Sequence, residues 1–449
     1  MTPRYFIGMA LLVAGCGRGA PSTPDAREYD LVVANGRIVD GSGNPWYLGD
    51  VGIRGDRIVR VAPAGSLAGT AAKATIDAAG LAVSPGFIDI QSHSWGQVLF
   101  GDGRLVGKIS QGVTSEILGE STTPAPANAN IDSLYGGADT DDVGHLARTP
   151  TYRGPHGFDA WLNGIERHGN SVNVGSYLGS TTVRAYAMGQ REGPPSGADL
   201  DTMRAVVRQA MADGAFGISS ALIYPPGSYA GTDELVEMAK AMAPLHGTYI
   251  THIRSEESKL LAAMDEAIQI GREGGVPVVI YHFKASGQVN WPLAAPAIAK
   301  IDSARAAGQD VKATMYPYPA SGNNLSSCLP GWAHADGKLL DNLKNPALRA
   351  RIRQEMAARG PDAPVYCQHN SPNAYQVAGF RRPEWLRYQG QRLDAIAAGL
   401  GLDWMDAVIE LTIGEDNRLG KITFGMSEEN VARMIARPWV VIGSDAGGY

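Results

Sequence analysis

Cysteine is scarce in this chain: its 449 residues contain three, Cys16, Cys328 and Cys367, too few for a disulfide framework. Long apolar runs are also missing, because the first such stretch, residues 5–14, is too short to cross a bilayer as a mature helix. Nor is there a basic stripe. The net charge is -6, with acidic and basic residues mixed along the whole sequence, which argues against nucleic acid as a partner and for a small-molecule substrate. What remains is ordinary. A hydrophobic content of 44% and a length of 449 residues suit one large catalytic domain with a smaller companion.

At the amino terminus Arg4 precedes the apolar run, the pattern of a signal peptide. The run ends in Val13-Ala14-Gly15-Cys16, which resembles the lipobox of bacterial lipoproteins. That resemblance implies that Cys16 becomes the lipidated first residue of an exported, membrane-anchored protein on the periplasmic or cell-surface side. The alternative is an ordinary signal followed by a Cys placed there by chance. Residues 17–28, rich in Gly, Pro, Ser and Ala, read as a flexible tether, so 1–28 stands outside the fold. Cys328 and Cys367 remain for one bridge, in a loop-rich region, and can pair only if the fold brings their Cα atoms within reach.

From Tyr29 the segments "YDLVVANGRIVDG", "GDVGIRGDRIVRVAP" and "ATIDAAGLAVSPG" alternate polar with apolar residues and break at Gly, Asn and Asp, which predicts strands and hairpin turns. Such a stretch is too short to bury both faces of a sheet, so 29–84 is expected to form part of a β-sandwich packed against the rest of the chain. After Pro85, strands alternate with helices. Eight segments read as parallel strands: "GFIDIQSH", "GVTSEILGE", "SVNVGSYLG", "GAFGISS", "GTYITHI", "VPVVIYHF", "VKATMYPY" and "WVVIGSD". Eight closes a (β/α)8 TIM-type barrel over 85–449. A helix is predicted over 258–273, with Leu260, Met264, Ile268 and Gly271 on one face. Residues 319–401, between the seventh and eighth strands, read as a long insertion serving as a lid.

Barrel enzymes assemble their sites at the carboxyl ends of the strands. There the sequence places Asp89, Gln91 and His93 after strand one, Glu116 and Glu120 in strand two, His252 and Arg254 after strand five, His282 and Lys284 after strand six, and Ser444 and Asp445 after strand eight. Imidazole and carboxylate are zinc ligands, and a catalytic zinc takes about three of them while keeping a position for water. Either histidine alone reads more readily as a satisfied core residue. Together at strand ends, His252 and His282 become a metal pair. His93 has the same position but a poor ligand, Gln91, as its strand companion. Asp445 is the candidate general base, taking a proton from water and delivering it to a leaving amine. Its other reading is as a helix cap, which "SDAGG" would also suit.

The ordered set "PGFID", "QGVTSEILGE", "GAFGISSALIYPPGSYAGTDELVEMAK", "THIRSEESKLLAAMDEAIQIGREGGVPVVIYHFKASGQVNW", "MYPY", "FGMSEENV" and "WVVIGSD" resembles the D-aminoacylase (N-acyl-D-amino-acid deacylase) family of the amidohydrolase superfamily over nearly everything after Tyr29. The resemblance implies that His252 and His282 bind the main zinc, that Asp445 is the catalytic acid/base, and that Arg254, Lys284, Tyr224 and Tyr316 lie in or near the substrate pocket, with surface or packing roles as their alternative. Two departures carry weight. Where the family has His-x-His, this chain has Gln91-Ser92-His93, which favours one zinc over two. Where the family has a bridging Cys, Ser121 stands beside Glu120, so Glu120 is assigned as the third ligand, or else as a Glu salt-bridged in the barrel mouth. Family members also continue beyond the eighth strand with a segment that completes the barrel and sandwich and carries a carboxylate-holding Arg. Without it, apolar strand surface is expected to be uncovered.

The leading expectation is zinc-dependent hydrolysis of N-acyl-D-amino acids to a carboxylate and a D-amino acid. A dihydroorotase- or hydantoinase-type hydrolase is the alternative within the fold, though the Lys such enzymes carry on strand four is absent from "GAFGISSALIYPPG". A surface lipoprotein keeping the barrel as a binding module is the reading from another class.

Overall fold

Short strands broken by turns become one sheet at the start of the chain. In the computed structural model, which describes residues 28–135, 152–358, 367 and 370–448, β1 (Tyr29–Ile38), β2 (Tyr47–Arg54) and β3 (Arg57–Pro63) pair antiparallel, while β4 (Ala72–Asp77) and β5 (Ala82–Val83) run parallel to β1. This single five-stranded sheet buries Tyr29, Val32, Ala62 and Leu67. Ile58, Val59, Val61 and Ile76 are exposed. The chain divides into two units between Pro85 and Gly86. Cys16 and the rest of the leader lie outside the described residues.

Beyond Pro85 each of the eight anticipated strand segments carries a strand. They are β6 (Phe87–Asp89), β7 (Val113–Leu118), the contiguous pair β8 (Asn173–Ser176) and β9 (Leu178–Gly179), β10 (Gly217–Ala221), β11 (Thr248–His252), β12 (Val278–Ile280), β13 (Val311–Met315) and, later, β17 (Val440–Ile442). All neighbours pair in parallel, in the order β6-β7-β8 and then β9-β10-β11-β12-β13-β17. A parallel bridge between Ser92 and Ala446 joins the first strand segment to the last. The fold is thus a (β/α)8 barrel, filled by Tyr177, Ile250, Val279 and Tyr281.

Helices cover the outside because their apolar faces match the strands. The helix anticipated over 258–273 forms at Leu260–Gly274 and buries Leu260, Met264, Ile268 and Gly271. A Cβ on Gly271 would come within 2.1 Å of Val278 Cγ2, so glycine sets how closely this helix approaches β12. Among the described residues no helix is long and apolar enough to cross a membrane.

The insertion anticipated over 319–401 continues further, to Thr423. Its strands β14 (Ser321–Asn324), β15 (Tyr375–Ala378) and β16 (Gly420–Thr423) form a separate sheet in the order β14-β16-β15. Helix Trp404–Gly414, beyond the anticipated boundary, buries Val408, Ile409 and Leu411 in the same core as Leu325, Tyr375 and Ile396. The shared core makes 321–423 one packed piece, and a boundary at Gly401 would cut through it. Cys328 and Cys367 are disulfide-bonded within it, at a Cα separation of 5.0 Å.

Candidate functional site

Strand ends bring the side chains together. The carboxyl end of β7 delivers Glu120, β11 ends on His252, and His282 follows β12. His252 Nδ1 lies 3.2 Å from Glu120 Oε1, His282 Nε2 lies 3.4 Å from the same oxygen, and the two ring nitrogens are 2.8 Å apart. All three side chains are at least nine-tenths buried. Zinc bonds of about 2.0–2.1 Å place tetrahedral ligand atoms about 3.3 Å apart, so these three atoms form a triangle of the size that one face of such a site requires. Their chemistry fits as well: two imidazoles and one carboxylate, with a fourth direction left for water.

A second group shares the same carboxylate. His93 Nε2 lies 3.0 Å from Asp445 Oδ1 and 3.5 Å from Glu120 Oε2. Gln91 also reaches Oε2, donating from its amide nitrogen at 2.8 Å, while its own oxygen accepts from the Thr314 hydroxyl at 2.7 Å. Burial disfavours charge on His93, but its hydrogen bonds to the Asp445 and Glu120 carboxylates outweigh it and push the imidazole up to about 10. Glu120 is likewise opposed by burial, yet the surrounding histidines hold it well below the usual carboxylate range. The carboxylates of the mouth are thus matched by the imidazoles around them, and a bound cation would take the place of the imidazole protons.

Around this centre stand the other anticipated residues. The Tyr224 ring is 5.5 Å from that of His252, and the Tyr316 ring is 6.3 Å from that of His282. Lys284 is buried and turned toward Glu256 at 2.5 Å and His282 Nδ1 at 2.9 Å. Arg254 borders a cavity of about 460 Å³ with Tyr224, Asn324, Ser326 and His334. Its guanidinium is bonded to Glu266 and to the carbonyls of Ser228 and Ala230.

Two contributors, Glu256 and Lys108, and the role of a third, Gln91, were not anticipated. Glu256 sits 2.8 Å from His282 Nδ1, orienting the ring so that Nε2 faces His252 and Glu120. Its distance of four residues from His252 lies in a non-helical segment, so no periodicity marks it. Gln91 holds one oxygen of Glu120. Lys108, from the short helix Val106–Ile109, is 4% exposed and donates to Asp89 at 2.6 Å, Ser444 Oγ at 2.8 Å and the Ala446 carbonyl at 2.7 Å. Asp89 in turn accepts from the Ser444 backbone N–H at 2.9 Å. This network fixes the turn that carries Asp445. We expect Lys108→Met to cost about 3–5 kcal/mol in urea unfolding, because Asp89 is left buried without its cation. A loss below about 1 kcal/mol, the range of a surface pair, would contradict that role.

No family model matches the chain. It is 32% identical over 430 residues to D-aminoacylase of Alcaligenes xylosoxydans xylosoxydans, spanning 94% of this chain and 76% of the relative. A solved D-aminoacylase, described for the role of its binuclear metal centre with one-metal activation and second-metal attenuation, superposes with a TM-score of 0.71 at 31% identity, covering 93% of this chain and 76% of that one. The N-acyl-D-glutamate deacylase of Bordetella bronchiseptica, solved with zinc and a phosphonate mimic of the tetrahedral intermediate, gives a TM-score of 0.72 at 26% identity with coverage of 93% and 76%. With this identity over most of its length and the eight-stranded barrel beneath it, the chain belongs to the D-aminoacylase family of amidohydrolases, enzymes acting on carbon–nitrogen bonds other than peptide bonds.

Proposed function

We propose that the protein hydrolyses the amide of N-acyl-D-amino acids, releasing a carboxylate and a free D-amino acid. The observation that carries this reading is the single carboxylate of Glu120 facing His252 and His282 on one side while Asp445 stands across His93 on the other. Glu120, His252 and His282 would hold one zinc ion. When bound there, zinc supplies Lewis acidity toward the acyl carbonyl and lowers the pKa of water.

The chain's own groups do the rest. Asp445 takes a proton from the attacking water as the C–O bond forms, then returns it to the nitrogen as the C–N bond breaks. His93, 3.0 Å from Asp445 Oδ1, orients that carboxylate. Glu256 and Lys284 fix the His282 ring from its far side. Tyr224 lines the cavity beside Arg254, and Tyr316 packs beside His282. One ion is favoured over two because the Gln91 amide, anchored by Thr314, points a donor at the Glu120 oxygen that a second ion would need.

We also read the protein as exported and anchored through Cys16, a location supported by the disulfide between Cys328 and Cys367, since such bonds persist in oxidising compartments.

The test is acetate release by the zinc-loaded protein from N-acetyl-D-amino acids, with the L-enantiomers and hydantoins alongside. Turnover is expected with the D-series. Ring opening of hydantoins alone, or release from the L-series alone, overturns the reading.

A further inference from the structure

One buried ammonium touches the chain neighbours of both His93 and Asp445. Lys108 Nζ donates to Ser444 Oγ at 2.8 Å and to the Ala446 carbonyl at 2.7 Å, the residues on either side of Asp445. It also lies 3.3 Å from the Oγ of Ser92, which precedes His93. The Ala446 carbonyl accepts a further hydrogen bond from the His93 backbone N–H at 3.2 Å, and the Asp445 N–H donates to the Gln91 carbonyl at 2.9 Å. Asp89 holds the ammonium at 2.6 Å, and the fully buried Glu116 stands 3.4 Å from it. Two buried carboxylates thus balance the charge that the ammonium brings into the core.

His93 belongs to the first strand segment of the barrel and Asp445 to the last. Among the described residues β6 and β17 do not pair with each other, and the Ser92–Ala446 bridge joins their segments. The 3.0 Å between His93 Nε2 and Asp445 Oδ1 therefore depends on how those two segments are held side by side. Lys108, from a third element, bonds both. An ammonium donates in three directions at once, and a neutral side chain of the same length cannot replace it. The turn it holds needs holding, because Asp445 sits at φ 52°. A base carried on a loosened turn loses its aim at the reacting water, and a displacement of about 1 Å can cost about 10²-fold in rate.

We propose that Lys108 is a positioning residue for the proton transfer: by gathering Ser92, Ser444 and Ala446 on one ammonium, it sets the Asp445 carboxylate against His93 and the attacking water. This rests on the amide-hydrolase reading above. The experiment measures kcat and KM on N-acetyl-D-amino acids for the zinc-loaded wild type, Lys108→Met, Lys108→Arg and Ser444→Ala, at a temperature where circular dichroism shows them folded. Lys108→Met should lower kcat by about 10- to 100-fold. KM and zinc content should stay within about twofold, the split expected when only the transition state loses an interaction. Lys108→Arg, which keeps a cation, should recover part of the loss. Ser444→Ala, which removes one of the bonds and is the milder change should Lys108→Met not fold, should lower kcat by about three- to tenfold. In the folded variants, a kcat within about twofold of the wild type, a loss confined to KM, or a loss that follows lost zinc overturns the proposal and leaves Lys108 a stabilising residue alone. A wild type that turns over none of the substrates sinks the hydrolase reading instead. Hydrogen exchange then decides on Lys108: faster exchange of the backbone at 443–447, relative to the ends of β11 and β12, in whichever variant folds supports the clamp, and unchanged exchange overturns it.

Discussion

A protein in which His252 and His282 are both replaced by alanine is expected to bind no zinc above background and to lose about four or more orders of magnitude in kcat/KM on N-acyl-D-amino acids. The two rings supply two of the three atoms in the ligand triangle, and Glu120 alone cannot hold a catalytic ion against water. The double change is preferred to either single one because a remaining imidazole could still bind metal weakly together with Glu120. Some stability should also be lost, since Glu120, Glu256 and Lys284 would be left buried with fewer partners. Zinc content by atomic emission, with circular dichroism to confirm the fold, separates the two effects. Stoichiometric zinc in the folded double variant would exclude this triangle as the metal site.

Asp445→Asn is expected to leave zinc bound and KM little changed while lowering kcat by about 10²- to 10⁴-fold, the usual contribution of a positioned acid/base. Asparagine keeps the size of the side chain and its hydrogen bond to His93 but cannot accept a proton. It also tolerates the backbone at this position, where φ is 52°. A distorted turn would therefore not be the cause of a loss. Full activity would contradict the assignment of Asp445 as the base, and loss of zinc would recast it as a ligand.

Much of the barrel was legible because parallel strands buried on both faces are written as short apolar runs, as in "VPVVIYHF" and "WVVIGSD", each followed by polar residues at the mouth. His252 and His282 were legible for the same reason: both stand where such a run ends. The pairing of their ring nitrogens around one oxygen of Glu120 was not, since it depends on rotamers set by Glu256 and Lys284 from behind. Lys108 reads as an ordinary charged residue in sequence, and only folding removes it from water. Likewise, the boundary at Gly401 failed because Val408 and Leu411 join an apolar core whose other members lie many residues upstream. The Cys328–Cys367 bond depended on the same long-range packing.

The backbone at the mouth has one more consequence. Ser121, His282 and Asp445 lie at φ of 65°, 35° and 52°, in the left-handed region that costs most side chains stability. Three of the loops that build the site thus leave their strands through a conformation that few residues accept. Replacements there are filtered twice, once for the group they present and once for the turn they must make. Saturation libraries at 282 and 445 should therefore yield folded protein mainly with Gly, Asn, Asp and His, and β-branched residues should be depleted whatever their chemistry.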